Sequence, residues 1–222
     1  MSVNNENRYA VMKTTVSFVK EILRDAEKGH DWFHIERVWN NAKHIGKIEG
    51  NVDMFVVELG ALLHDIADAK FHDGNEEIGP KTARTFLISQ NIDEAVTEKV
   101  EQIVRHISFK GSIGTKVTYT SPELSVVQDA DRLDALGAIG IARAFTYGGF
   151  KNRPLYDPTQ KPNLTMSKEE YKNNQGTSIN HFYEKLLLLK DKMNPKTGKR
   201  LAEERDIYMR GYLKQFLAEW EG

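Results

Sequence analysis

The segment Asp53–Ala67 reads DMFVVELGALLHDIA, a nearly continuous apolar run that ends in a histidine and an aspartate. Its apolar residues recur at helical spacing, and Asp53 stands where an N-capping side chain is expected, so we predict a helix over about 53–67. Burial of the His64 imidazole and the Asp65 carboxylate on an apolar helix costs free energy unless something compensates for it. A metal ion compensates for both groups at once, and these two residues are therefore candidate ligands.

Helical periodicity continues on both sides of this segment. Capping residues, glycines and prolines divide the chain into about eight predicted helices. They span about 14–28, 31–48, 53–67, 80–90, 93–109, 122–147, 168–193 and 201–219. Only Lys116–Thr120 has a β-like pattern, and the Gly- and Pro-containing stretch 148–163 predicts a long surface loop. We therefore predict an all-α fold in a single domain over 1–222, with a metal-binding core at about 20–150 and C-terminal helices, 168–220, packed on it.

The composition narrows the chemistry. Cysteine is absent from the 222 residues, which excludes disulfides, thiol nucleophiles and Cys-ligated zinc. Any metal must therefore be bound by His, Asp and Glu, and that favours a hydrolytic ion such as Mn, Mg, Zn, Co or Fe. A net charge of −1 argues against general affinity for nucleic acid. The sequence shows no signal-peptide core and no apolar run long enough for a bilayer, so we expect a cytoplasmic protein without a membrane partner.

Three further segments place ionisable side chains among apolar neighbours. They are DWFHIERV at 31–38 with His34, IVRHISF at 103–109 with His106, and VVQDADRLDAL at 126–136 with Asp129, Asp131 and Asp134. One such cluster could be a salt-bridge network. Four clusters on separate predicted helices indicate one shared centre.

The order His34 … His64-Asp65 … Asp131 resembles the H…HD…D signature of the HD-domain phosphohydrolase superfamily. The flanking segments are similar to those of a branch of this superfamily, the small stand-alone bacterial enzymes that act on nucleotides. These segments are GHDWFHIERV (29–38), LLHDIAD (62–68), QDADRLDALGAIGIARAF (128–145) and HFYEKLLLLKDKM (181–193). The resemblance implies a helical HD-type domain in which His34, His64, Asp65 and Asp131 bind the metal. Asp131 is preferred because the family's acid stands directly before Arg-Leu, and Asp129 is the alternative.

The same resemblance matches Asp68 to an acid that serves as general acid/base in some HD enzymes. Its spacing from His64 places it on the same edge of the helix. The alternative is that Asp68 only solvates the helix end or pairs with Lys70. We interpret Asp68 as the catalytic acid/base and Lys70 as a catalytic cation beside it.

Phosphoester cleavage needs further cations for the charge that develops on oxygen. The candidates are Arg37, Arg105 and Lys185, although each could equally be a surface or salt-bridge residue. His106 is interpreted as a substrate-phosphate contact or as a group behind the ligands rather than as a ligand of a second metal. Arg37, Arg105, His106 and Lys185 form the predicted substrate-binding set.

The resemblance implies hydrolysis of nucleotides by metal-activated water. We favour conversion of nucleoside or deoxynucleoside triphosphates to monophosphate and pyrophosphate, with Mn as the first choice of ion and Mg, Co, Ni, Zn or Fe as alternatives. One alternative function is a 5′-nucleotidase or other phosphomonoesterase, and another is a non-catalytic, nucleotide-binding regulatory protein. The expected partner is a nucleotide and not a specific nucleic acid. The sequence does not decide whether the protein forms a homodimer.

The loop at 148–163 is expected to fold over the base and sugar of the nucleotide. Aromatic residues lie around it and could stack on a base, although ordinary packing explains them equally well. They are Phe145, Tyr147, Phe150 and Tyr156.

Overall fold

The computed structural model describes residues 5–24, 31–67, 75–107, 119–166, 170 and 175–222, and the statements below concern these residues. They form nine α-helices with defined bounds, one 3-10 helix and no β-strand, which confirms the predicted all-α class. The helices are α1 (Asn5–Ile22), α2 (Trp32–Glu49), α3 (Met54–Leu63), α4 (Ile78–Ser89), α5 (Glu94–His106), α6 (Pro122–Asp134), α7 (Gly137–Phe150), α8 (Ser178–Glu184) and α9 (Lys196–Glu221), with the 3-10 helix at Leu186–Lys192. None of these described helices has the length and apolar character needed to cross a bilayer.

Three helices begin at the aspartates that the sequence predicts as caps. Asp31, Asp53 and Asp93 each accept a hydrogen bond from a backbone N–H two or three residues later, at 3.1, 3.0 and 2.9 Å. These bonds satisfy donors that have no partner inside the helix. Pro80 lies in the first turn of α4, as expected for a residue that lacks an N–H. Local signals therefore define the starts of α2, α3 and α5.

The single helix predicted over 122–147 is wrong, because the chain forms α6 and α7 with a break at Ala135 and Leu136. The N–H groups of these two residues bond to carbonyls three residues earlier, at 3.1 Å each, which tightens the last turn of α6. Gly137 then adopts φ +69°, a left-handed conformation that glycine takes without steric strain. The backbone turns there and α7 starts in a new direction.

Other predicted bounds need correction. The helix predicted over 168–193 is, within its described part, α8 followed by the 3-10 helix, because Lys185 between them has non-helical backbone angles (φ −142°, ψ −58°). α1 begins at Asn5 rather than 14 and ends at Ile22, and α9 begins at Lys196 rather than 201, directly after Pro195. α7 continues through Phe150, so the predicted loop begins after it.

Packing divides the chain into two compact units, with the division between Ala130 and Asp131, inside α6. In the first unit, α3 lies at the centre and packs against α1, α2 and α5, while α4 packs on α5. In the second unit, α9 packs against α7 and the 3-10 helix, and α8 contacts both of those elements. The single-domain organisation and the packing of C-terminal helices on the core stay predictions.

Candidate metal centre

Three of the four predicted ligands lie together. His34 of α2, His64 after α3 and Asp131 of α6 each present one ligand atom, and these atoms all lie within 4.8 Å of one another. Both histidines are buried and Asp131 is half-buried. Imidazole nitrogen and carboxylate oxygen are ligands for Zn, Mn, Fe and related divalent ions. The donor set and its spacing therefore fit one divalent cation.

The sequence predicted His64 inside a helix over about 53–67. In the structure it lies instead at the C-terminal end of α3. α3 ends at Leu63, and residues 64–67 form a turn. The end of a helix leaves backbone carbonyls without helical partners, and His64 Nδ1 lies 2.8 Å from one of them, the oxygen of Ala61. A carbonyl only accepts, so Nδ1 carries the proton and Nε2 carries the lone pair. Nε2 is buried, and the bond from Nδ1 holds the imidazole in the tautomer that a metal ligand requires.

His34 is fixed by the start of α2. Its backbone N–H bonds to the Asp31 cap, and its ring meets the His64 ring edge to face, with centroids 5.3 Å apart and planes at 69°. Two turns further along α2, Asn41 Nδ2 donates to the carbonyl of Ala130 at 3.4 Å. This bond ties α2 to α6 at the residue directly before Asp131.

The fourth predicted ligand, Asp65, is half-buried in the turn after α3 and is not among the grouped ligand atoms. Its role as a ligand stays a prediction. Asp129, the alternative to Asp131, is fully buried and also lies outside the group. The grouping therefore favours Asp131 over Asp129. The predicted catalytic residues Asp68 and Lys70 lie outside the described residues.

Arg105, a predicted phosphate contact, is engaged by two carboxylates. Its guanidinium forms an ion pair with Glu77 at the start of α4 and another with Glu101 at 3.0 Å, one turn earlier on α5. These hydrogen bonds, first that to Glu77, raise the pKa of Arg105 above its ordinary value. The guanidinium charge is thus compensated without a phosphate, although a role in substrate binding stays a prediction.

His106 ends α5 and is oriented in the same way as His64. Its Nδ1 lies 2.9 Å from the carbonyl of Gln102, its own carbonyl accepts from Gln128 Nε2 of α6 at 2.9 Å, and its ring lies 5.5 Å from that of Tyr119. Nδ1 therefore carries the proton, and Nε2 is left as an acceptor. His106 is not part of the ligand group, and its role as a substrate-phosphate contact stays a prediction.

The two remaining predicted substrate contacts lie on different elements. Arg37 is half-buried on α2, three residues after His34. Lys185 lies between α8 and the 3-10 helix, in the second unit. Loss of hydration, followed by the nearby charges of Lys185 and Arg153, lowers the pKa of His181 to about 3. His181 is therefore neutral at physiological pH. The roles of Arg37 and Lys185 stay predictions.

The aromatic residues around the loop mainly pack among themselves. Phe145 lies 5.9 Å from Phe182 and 6.0 Å from Tyr212, and the Tyr156 ring lies 5.2 Å from that of Trp220, between ring centroids. Ordinary packing thus accounts for Phe145 and Tyr156. Tyr147 and Phe150 instead lie beside cationic side chains, and the Lys151 ammonium is 5.1 Å from the Phe150 ring.

Two arginines that the sequence did not single out lie at the end of α6. Arg143 Nη1 is 2.9 Å from Asp134 Oδ2 and donates to the Asp134 carbonyl at 3.2 Å. Arg205 Nη1 donates to the carbonyl of Leu133. Both arginines contact the last turn of the helix that carries Asp131. Both arginines lie in segments that resemble the family, but neither segment indicates its contact with α6.

A cavity of about 670 Å³ lies in the second unit. Its lining includes the loop residues Gln160, Lys161 and Asn163, together with Asn180 and Glu184 of α8. Asn180 Nδ2 donates to the Gln160 carbonyl and the Asn163 N–H donates to Glu184, both at 3.0 Å. Most of the lining residues have polar side chains, and the amide groups among them can both donate and accept hydrogen bonds.

Comparison with known proteins identifies the family. The HD domain family matches residues 32–136, a range that holds His34, His64, Asp65 and Asp131. YpgQ of Bacillus subtilis is 37% identical over 90% of this chain and 88% of its own length. A structure of YpgQ in complex with ADP has a TM-score of 0.76 and covers 96% of each chain. An HD-superfamily hydrolase from Bacillus thuringiensis is 40% identical, with a TM-score of 0.76 over 97% of this chain and 99% of its own.

The matched range contains the three residues whose ligand atoms group, in the order that the signature requires. The relatives also span nearly the whole of both chains. This chain belongs to the HD-domain superfamily of metal-dependent phosphohydrolases.

Proposed function

We propose that this protein hydrolyses nucleotides, and specifically that it converts nucleoside triphosphates, including deoxynucleotides, to the monophosphate and pyrophosphate. The observation that carries the proposal is the group formed by His34, His64 and Asp131, whose ligand atoms lie within 4.8 Å of one another. The nucleotide as substrate class is supported by the relative YpgQ, whose structure was determined in complex with ADP.

We assign His34, His64 and Asp131 as ligands of a divalent ion, with Mn as the first choice and Asp65 as the fourth ligand. Two neutral imidazoles and two carboxylates balance the charge of one divalent cation. When bound, such an ion polarises a phosphoryl oxygen and lowers the pKa of a water ligand. The protein's own part is to keep the His64 lone pair directed into the group through the bond from Nδ1 to Ala61, and to exclude bulk water around two buried histidines.

Proton transfer and charge neutralisation fall to other side chains. Asp68 is assigned the proton transfer, and Lys70 the charge that develops on the phosphate oxygens. Arg37, His106 and Lys185 are further proposed contacts to the substrate. Arg105 ranks behind them because Glu77 and Glu101 already compensate its charge.

The attacked phosphorus is proposed to be the α-phosphorus. The loop after α7, with the cavity that the amide residues Gln160, Asn163 and Asn180 help to line, is assigned the base and sugar end of the nucleotide. Amide groups suit that end, because base edges offer both donors and acceptors. With the base held by the loop, the phosphate chain extends away from it and pyrophosphate leaves as one unit.

A nucleotide panel with added Mn²⁺, resolved by product and run in ¹⁸O-labelled water, tests the proposal. We expect pyrophosphate as the product and label in the monophosphate. The variant His34→Gln should lose activity, while His44→Gln, an exposed histidine on the same helix, should retain it. Orthophosphate from monophosphates would favour the 5′-nucleotidase, and labelled orthophosphate from the γ position would reject α attack. Nucleotide binding without turnover would favour the regulatory protein.

A further inference from the structure

We infer that Arg143 and Arg205 are positioning residues for the ligand Asp131, because together they hold the last turn of α6. The inference rests on the proposed metal site and adds to it two side chains on α7 and α9. Neither arginine is itself a ligand, and both act through the backbone of the helix on which the carboxylate stands.

The contacts are to carbonyls in the last turn of α6. The Leu133 carbonyl already accepts from the Leu136 N–H at 3.1 Å, and Arg205 adds a second donor to it. The last four carbonyls of a helix have no N–H from within the helix. Arg205 donates to the carbonyl of Leu133, and Arg143 donates to that of Asp134 at 3.2 Å. Arg143 also holds the buried Asp134 carboxylate at 2.9 Å. Two cations at the negative end of the helix dipole stabilise this turn electrostatically as well as through hydrogen bonds.

Gly137 provides the space for this arrangement. A Cβ added there would lie 3.1 Å from Cγ and 3.3 Å from Cβ of Arg205, so the absence of a side chain lets the Arg205 stem run against the start of α7. Gly137 also has φ +69°, which a residue with a side chain rarely adopts. The segment Asp134–Gly137, which lies in the family-like sequence, thus forms the break after α6. Its glycine also leaves room for the Arg205 side chain to contact the end of that helix.

The effect on Asp131 follows from its place in the helix. Asp131 lies three residues before Asp134, about one turn from the anchored carbonyls. A ligand must be held within about 0.5 Å of its productive position. Arg205 is also kept partly out of water, which lowers its pKa from the ordinary value, while the charge of Asp134 opposes that shift. The Arg205 guanidinium therefore loses part of its hydration, and its contacts to the end of α6 compensate for that loss.

The experiment measures the Mn²⁺ affinity of folded protein by electron paramagnetic resonance, with circular dichroism as the check on folding. Arg205→Met should weaken binding by about 10–100-fold, the range typical of groups that orient metal ligands. The control is Arg210→Met on the same helix, which loses a 2.7 Å ion pair with the buried Asp206 and should bind within about twofold of wild type. Arg205→Lys, which keeps the charge and the stem, should lie between Arg205→Met and wild type.

Arg143→Gln provides a second variant if Arg205→Met does not fold, and the same weakening is expected for it. The inference is overturned if the folded variants bind Mn²⁺ as wild type does, or if Arg210→Met weakens binding as much as Arg205→Met. Absence of Mn²⁺ binding by the wild-type protein would overturn the proposed function as well. Wild-type binding with unchanged affinity in the variants would overturn the positioning role alone.

Discussion

Replacement of Gly60 by alanine tests how closely α3, the helix that ends just before His64, packs against α5. Gly60 lies on α3, one turn before His64, where α3 packs against α5. A Cβ at this position would lie 3.0 Å from Cδ1 and 3.1 Å from Cγ2 of Ile103. Ile103 is fully buried, so its side chain has little room to move away. The added methyl group must therefore push the two helices apart or force Ile103 off its rotamer.

The expected magnitude is the sum of two opposing effects. Alanine in a helix interior is about 0.5–1 kcal/mol more favourable than glycine. Overpacking of a dense core costs about 1–3 kcal/mol. We therefore expect Gly60→Ala to lower the free energy of unfolding by about 1–2 kcal/mol in urea denaturation. Gly211→Ala is the matched control, because no atom lies within 4 Å of its added Cβ, and it should gain about 0.5–1 kcal/mol.

A double-mutant cycle with Ile103→Val isolates the contact. Valine lacks the Cδ1 atom that lies 3.0 Å from the added Cβ. Ile103→Val should cost about 0.5–1.5 kcal/mol alone and about 1 kcal/mol less beside Gly60→Ala. A stabilised Gly60→Ala protein, or equal costs of Ile103→Val in both backgrounds, would refute the claim that this contact sets the spacing of α3 and α5.

Three further predictions concern the site and the second unit. Asp68→Asn should lower turnover by about 10²–10⁴-fold with Mn²⁺ occupancy unchanged. Wild-type turnover in this variant would show that Asp68 is not the acid/base and only solvates the end of the helix. Asp65→Asn should weaken Mn²⁺ binding by about 10–100-fold in calorimetry, and an unchanged affinity would leave a site of three protein ligands. The pKa of His181 is about 3 when folded and near 6.5 when unfolded, so the unfolded chain binds more protons between these values and stability falls as pH falls below about 6.5. Between pH 6.5 and 5 we expect a loss of about 1–2 kcal/mol that His181→Gln lacks; an equal loss in both proteins would show that His181 is not its source.

The parts of the fold that local chemistry controls could be read from the sequence. The capping aspartates Asp31 and Asp53 accept hydrogen bonds from backbone groups two or three residues away. The starts of α2 and α3 can therefore be predicted from short sequence segments. The break after α6 could not be predicted in this way. The flanking alanines and isoleucines continue a helical pattern, whereas the Arg205 side chain that packs against Gly137 is distant in the chain.

The same distinction applies to the site. The residue types and order of His34, His64 and Asp131 predicted a shared centre, and these residues do group. Arg105 is a candidate phosphate contact by sequence, and that role stays a prediction; its ion-pair partner Glu77 belongs to α4. Such a pairing depends on how two helices dock, and neither segment indicates it alone.

The spacing of the ligands along the chain has a consequence for the kinetics of unfolding. His34 and His64 are 30 residues apart, and His64 and Asp131 are 67 apart, so the group exists only after distant segments have come together. Contacts between residues so far apart carry a large loop-closure entropy and limit the rate of folding. If they form after the transition state, a bound ion stabilises the native state alone and slows unfolding without speeding folding. Added Mn²⁺ should then lengthen the lifetime of the folded protein, while the refolding rate stays the same.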